Sequence, residues 1–347
     1  MRLPVSLVTA PFRRPRGVHT PAPRRPNARS RARFAVALAP PAFALVVWAV
    51  LAALGPTDPA GVDEEYAARL RVARTARAEH PDRPLGLVLG TSRTTLGFQP
   101  ELLTDPDGPY WVNAGRSAAG PVLNRVMMHR FVRDGVRPAV VVLEVMPVFF
   151  AVECREFLLS QLAPRDLWVA RRYAERPFEY DSFLLRARFP YPIRLGEGVI
   201  SVPRPENYLP RGGFPDLKAA VAPAERAARV ESNRALFWPA LRDMAVQPVA
   251  DRAFRDTVRE AVDCGARVIL LRAPESRAFR DWYDPAALAR FDDYLAGLAR
   301  DLDTPVIDAR LWLDEADFSD AHHALMPGAE KFTFRLAHEV RRLLEPR

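Results

Sequence analysis

Five short apolar runs, each set off by stretches of helical composition, constrain this 347-residue chain more than any other feature. The runs are Leu85–Leu89, Tyr110–Val112, Ala139–Val145, Arg267–Arg272 and Pro305–Asp308. Helical sequence covers 62–79, 121–134, 250–264, 285–302 and 328–344. Short, mostly apolar strands alternating with helices mean βαβ units, whose strands are buried on both faces of a parallel sheet. The expected fold is α/β: a five-stranded parallel sheet between two helical layers. The chain shows no internal repeat.

Between the third and fourth runs lie about 120 residues without this rhythm, too many for a loop. Residues 151–245 are therefore expected to form an inserted, mostly helical subdomain, with 84–150 and 246–347 building the sheet domain. Its aromatics (Trp168, Tyr173, Phe178, Tyr180, Phe183, Tyr191) have two readings: the wall of a glycan groove, or the packing of a small core. The return of this segment before the fourth strand makes it a candidate lid over the carboxyl end of the sheet.

At the other end, Phe34–Leu54 is 21 residues without a charge or a strongly polar side chain. A helix of that length spans about 30 Å, the thickness of a hydrocarbon core. Pro40 and Pro41 are tolerable in a membrane helix. Nine arginines and no acid precede the run, and Asp58, Asp63, Glu64 and Glu65 follow it. By the positive-inside rule, the N-terminus stays in the cytoplasm and the chain from about residue 56 onward faces out. A cleaved signal peptide is the competing reading, although the run exceeds the usual apolar segment of one. The Pro- and Arg-rich tail, 1–33, is expected to be disordered, and 56–83 to form a linker with a connecting helix.

The formal charge of +8 suggests nucleic acid until it is located. Taking the nine tail arginines from the 50 basic residues leaves 41 against 42 acidic ones. The body is neutral, so no nucleic-acid face is expected. Two cysteines, Cys154 and Cys264, exclude a disulfide scaffold and a cysteine-based zinc site. A single disulfide or two unpaired thiols both remain open.

In an open parallel sheet, ligands bind at the carboxyl ends of the strands. Gly90-Thr91-Ser92-Arg93 follows the first strand, Asn113 to Gly120 the second, and Glu144 to Pro147 the third. Ala273 to Ser276 follows the fourth, and Asp317-Phe318-Ser319-Asp320-Ala321-His322-His323 lies beyond the fifth. A serine after the first strand and an Asp-x-x-His pair after the last are the candidates for chemistry.

Those residues carry a resemblance. LGLVLGTSRTTLGFQPELL resembles the first block of the SGNH (GDSL-type) hydrolase superfamily, and DFSDAHHALMPGAEKFT resembles its last, with Asp320, His323 and Gly328 in the pattern positions. The Gly-Thr-Ser-Arg form with an outward-facing anchor is similar to membrane-bound relatives that handle acyl groups on cell-surface polymers. Examples are the alginate-type O-acetyltransferases and the D-alanyl transfer protein of teichoic acids. The resemblance covers 84–150 and 250–345 and omits the insertion. It implies a flavodoxin-like three-layer sandwich, and a serine esterase or O-acyltransferase without cofactor or metal. Its implied substrate is an acyl ester or an envelope glycan, handled at the outer face of a bacterial cytoplasmic membrane, with envelope-biosynthesis proteins as partners.

On that reading Ser92 is the nucleophile, His323 its base, and Asp320 the group that fixes the imidazole tautomer. The Ser92 N–H is one oxyanion donor. The second block places a glycine about five residues after the asparagine, where this chain has Ala118; Gly115 and Gly120 are the other candidates. The third block's Gly-x-Asn-Asp is absent, and the strand ends Leu143-Glu144-Val145-Met146-Pro147. That absence favours a competing class of function, a non-catalytic scaffold or glycan-binding component.

Other readings stand beside these. Ser92 could be a helix N-cap or turn residue. Ser117 half-matches a nucleophile elbow but lacks the last glycine, and is expected to line the second loop. Arg93 either binds a substrate carboxylate or phosphate, or pairs with Glu144. His322 is expected on the surface or in a pocket wall. A metal site from Asp314, Asp317, Asp320 and His322 has no recognised ligand spacing. His80 and His129 show no partner in sequence.

Overall fold

The computed structural model describes residues 36–43, 45, 46, 49, 63–103, 108–152, 162–176 and 218–345. The chain divides into two units, Met1–Val50 and Leu51–Arg347. In the first, the described residues are helical, and Val36, Leu38, Phe43, Leu45 and Val46 are exposed. No helix among the described residues is long and apolar enough to cross a membrane. The basic tail and much of 34–54 lie outside them.

In the second unit, five parallel strands form one sheet in the order β2-β1-β3-β4-β5. They are β1 (Leu85–Leu89), β2 (Tyr110–Asn113), β3 (Val140–Glu144), β4 (Arg267–Arg272) and β5 (Val306–Asp308). Register runs from Leu87↔Val112 through Leu87↔Val141 and Val141↔Val268 to Leu271↔Ile307. This is the flavodoxin-like order, with its topological switch between β1 and β3. The five runs read from sequence are the five strands, within two residues at each end.

Alternation within the strands builds two cores. Leu87, Leu89, Val141, Leu143, Val268 and Leu270 face one helical layer. That layer comprises α1 (Glu64–Glu79), α3 (Pro121–Arg133), α7 (Pro248–Asp263) and α9 (Pro285–Asp301). Val88, Val142, Ile269, Leu271 and Ile307 face the other side, covered by α10 (Met326–Leu344). Phe332, Leu336 and Val340 recur every four residues along α10, the stripe an amphipathic helix presents to a sheet.

The remaining helices, four short and one of 20 residues, lie near the carboxyl ends of the strands or in the insertion. They are α2 (Ser92–Gly97), α4 (Pro147–Ala151), α5 (Leu167–Ala170), α6 (Pro223–Arg242) and α8 (Arg277–Arg280). The described parts of 151–245 share cores with the sheet domain instead of forming one of their own. Leu162, Leu167, Val169 and Tyr173 join the α3/α7 core, and Asp166 is buried against Arg130. Helix α6 packs Phe237, Ala240 and Leu241 with Met146, Phe149, Phe279, Trp282 and Ala321, all beyond the carboxyl ends of their strands. Of the aromatics singled out in sequence, Tyr173 is buried and Trp168 is 74% exposed. Phe178, Tyr180, Phe183 and Tyr191 lie outside the described residues, as does Cys154. Cys264 is half-buried, its thiol donating to the Ala261 carbonyl at 3.1 Å.

Candidate active site

The turn after β1 is built around Glu144. The β3 carboxylate accepts the Thr91 N–H at 2.6 Å, the Thr91 hydroxyl at 3.1 Å, Arg93 Nε at 2.7 Å and the Thr94 hydroxyl at 2.7 Å. A buried carboxylate needs such a set of donors to stay charged away from water. Gly90 is required by this approach, because a Cβ there would stand 2.4 Å from Glu144 Oε2 and 2.1 Å from the Thr94 hydroxyl. Thr91 is the N-cap of α2, its hydroxyl accepting the Arg93 N–H at 3.1 Å. The capping role therefore belongs to Thr91, and Ser92 stands as the first residue of the helix, half-buried with its hydroxyl directed elsewhere.

That hydroxyl lies 2.7 Å from Nε2 of His323, 231 positions along the chain. The His323 side chain is delivered by a tight turn beyond β5. Asp320 Oδ1 accepts the backbone N–H of both His322 and His323 at 2.8 Å, and its Oδ2 lies 2.7 Å from His323 Nδ1. The turn is closed by a bridge between Phe318 and Ala324 and by the Ser319 N–H on the His323 carbonyl at 2.9 Å. Gly328 lets α10 start directly behind it, since a Cβ there would meet the Asp317 carbonyl at 2.6 Å.

Burial alone would raise the Asp320 carboxyl. The hydrogen bond from His323, the charge of the two imidazoles and the His322 N–H outweigh it, and hold the group far below the usual carboxylate range. An ionised Asp320 fixes the proton of His323 on Nδ1, which leaves Nε2 free to accept from Ser92.

His322 is buried, and its surface reading is overturned. Its ring lies 4.0 Å from that of His323 between centroids, tilted by 41°, and meets Phe237 edge-on at 5.0 Å and Phe279, tilted, at 5.3 Å. Desolvation, then the neighbouring His323, with Arg93 adding to them, push its imidazole well below the ordinary histidine value despite Asp320. The ligand-type atoms of Asp320, His322 and His323 lie within 4.8 Å of one another. Asp314 and Asp317 do not join that group: Asp317 binds Lys331 at 2.8 Å and the Asp314 N–H at 3.0 Å. With His323 Nδ1 committed to Asp320, the arrangement fits proton transfer better than metal ligation.

Of the two readings of Arg93, the structure shows the ion pair with Glu144. Its guanidinium is buried between Glu144, at 2.7 Å, and Glu275 after β4, at 3.1 Å, and so is not offered to a substrate anion. Glu275 also accepts the Tyr283 hydroxyl at 2.9 Å. This chain of Glu144, Arg93, Glu275 and Tyr283 ties together the ends of β1, β3 and β4. Glu275 and Tyr283 carried no signal in sequence beyond the position of Glu275 after a strand. His129, too, has a partner, Glu260 at 2.9 Å, and His80 stacks on Tyr110 at 5.2 Å.

The second loop supplies the candidate oxyanion donors. The Gly115 N–H is taken by Asn113 Oδ1 at 2.9 Å. Gly120 is the N-cap of α3. Ala118 stands at φ +51°, in the left-handed region, and Ser117 shares its turn. No described residue accepts the N–H of Ser92 or of Ala118. A cavity of about 570 Å³ lies at the opposite end of the sheet, among Pro84, Trp111, Val140 and Arg341, remote from these groups.

No protein-family profile matches this chain, and no curated protein does. Among solved structures, a Bacteroides fragilis protein provisionally described as an acylhydrolase is similar at 11% identity and a TM-score of 0.38. The match covers 78% of this chain and 97% of that one.

Proposed function

We propose that this chain is a serine-dependent ester hydrolase or O-acyltransferase of SGNH type. The observation that carries the reading is the unbroken relay from Ser92 Oγ through the His323 ring to Asp320, with both contacts at 2.7 Å. In that mechanism Ser92 Oγ attacks the ester carbonyl while His323 Nε2 takes its proton. The Ser92 and Ala118 N–H groups receive the developing oxyanion. Loss of one such donor typically costs about 3 kcal/mol of transition-state stabilisation. Collapse of the intermediate expels the alcohol, protonated by His323, and leaves an acyl-Ser92 ester. Water then completes hydrolysis, or a sugar hydroxyl completes transfer, with His323 again as base.

Residues 34–54 serve in this proposal as an uncleaved anchor in the cytoplasmic membrane. The C-terminal domain then faces outward, toward ester-linked acyl groups of an envelope glycan and partner proteins of envelope biosynthesis. The support is the uncharged run with arginines on one side only, and the exposed apolar side chains of its described helical residues. Labelling by a fluorophosphonate probe, compared between wild type and Ser92→Ala, tests the chemistry. A wild type that resists the probe and leaves acetyl esters intact returns the chain to the scaffold or glycan-binding class.

A further inference from the structure

The loop that carries Ala118 is gripped from outside the site. Arg116 is buried, with Nη1 2.9 Å from Asp63 Oδ1 and Nε 3.3 Å from Glu65 Oε2. Its backbone N–H donates to the Gly90 carbonyl at 2.9 Å, and its own carbonyl accepts the Ala119 N–H at 3.1 Å. Those two bonds close the turn around Ser117 and Ala118. Asp63 is the N-cap of α1, accepting the Tyr66 N–H at 3.0 Å, and its Oδ2 holds Arg130 Nη1 at 2.7 Å. Arg130 in turn binds Asp166 through Nε at 3.0 Å and Nη2 at 2.5 Å. The one carboxylate that caps α1 thus fixes two arginines, one in the second loop and one on α3. Burial would raise the Asp63 carboxyl, but the charges of Arg116 and Arg130 hold it below the usual carboxylate range, so it stays ionised.

Alanine gains nothing locally from φ +51°, where its Cβ crowds the backbone. Such a conformation persists only where the surroundings over-determine it. A glycine would adopt it freely. This chain has alanine there and, two residues earlier in the same turn, an arginine locked to another element.

We propose that Arg116, held by Asp63 and Glu65, is a positioning residue that keeps the 115–120 loop in its left-handed turn, so that the Ala118 N–H stays available to the reacting carbonyl. The inference rests on the serine-hydrolase reading above. It makes the helix that follows the apolar N-terminal run part of the apparatus that shapes the oxyanion site. Arg116 touches no substrate in this role and acts only through the loop backbone.

The test uses the full-length chain with p-nitrophenyl acetate as substrate and a fluorophosphonate probe for Ser92. Arg116→Gln is expected to lower kcat at least tenfold with KM within about twofold, approaching the loss of one oxyanion donor. Arg116→Lys, which keeps the charge but not both pairs, should fall between it and wild type, and carries the test if the glutamine variant does not fold. Asp166→Asn breaks the same buried network at its far end, and should lower the unfolding temperature while leaving kcat unchanged well below it. Adding Ala118→Gly to Arg116→Gln should recover at least part of the lost kcat, because glycine enters positive φ without a clamp. An active wild type whose Arg116 variants keep full kcat, or lose no more than Asp166→Asn, overturns the clamp alone. A wild type that is neither labelled nor active overturns the hydrolase reading and the clamp with it.

Discussion

The Glu144 carboxylate accepts the Thr91 N–H at 2.6 Å, so the residue before Ser92 is fixed by the end of a neighbouring strand. Ser92 owes its orientation to that contact and to the helix start it permits. Glu144→Gln removes one charge from a buried cluster that includes Arg93. Breaking a buried pair on one side typically costs about 3–5 kcal/mol. Chemical denaturation should show a loss of that order, with an unchanged denaturant slope.

The relay of Ser92, His323 and Asp320 makes unequal demands on its members. In the proposed mechanism Ser92→Ala removes the nucleophile and His323→Ala its base, so each should cut turnover of a simple acetyl ester by several orders of magnitude. Asp320→Asn retains hydrogen-bonding capacity but not the charge that fixes the tautomer, and should lose less. Near-full esterase activity in Ser92→Ala would sink the assignment.

His322 gives stability a pH dependence of definite sign. Its folded imidazole resists protonation well below its ordinary value, because it is desolvated and faces His323 and Arg93, with Asp320 opposing them. The unfolded chain therefore takes up a proton first as pH falls below roughly 6.5, and the folded state loses stability there. The slope approaches about 1.4 kcal/mol per pH unit for that one proton. Asp320 works on the carboxylate side: its depressed folded value contributes stability that is whole above about pH 4 and lost only on further acidification. Unfolding measured from pH 7.5 to 5 should show the histidine slope in wild type and a flatter line in His322→Phe, which keeps a ring between Phe237 and Phe279.

The topology can be read with a reporter. With the arginines on one side of residues 34–54, alkaline phosphatase fused after Arg347 should be active in a bacterial host. An inactive phosphatase together with an active cytoplasmic reporter would place the domain on the other side.

What the sequence determined by itself was local and periodic. Runs such as Leu85–Leu89 and the apolar stretch inside Arg267–Arg272 matched the strands because a parallel sheet covered on both faces buries successive residues on either side. The Asp320–His323 turn was legible for the same reason, since three residues of spacing bring carboxylate and ring together whatever surrounds them. Tertiary structure decided everything that depended on a distant partner. Arg93 had two open readings until Glu144, 51 positions away, and Glu275, 182 away, took its guanidinium. His129 met Glu260 across 131 positions, and Arg116 met Asp63 across 53. A charged side chain carries no record in sequence of which opposite charge will share its burial. The same holds for the left-handed backbone of Ala118, because alanine does not choose that conformation and the packing around it must.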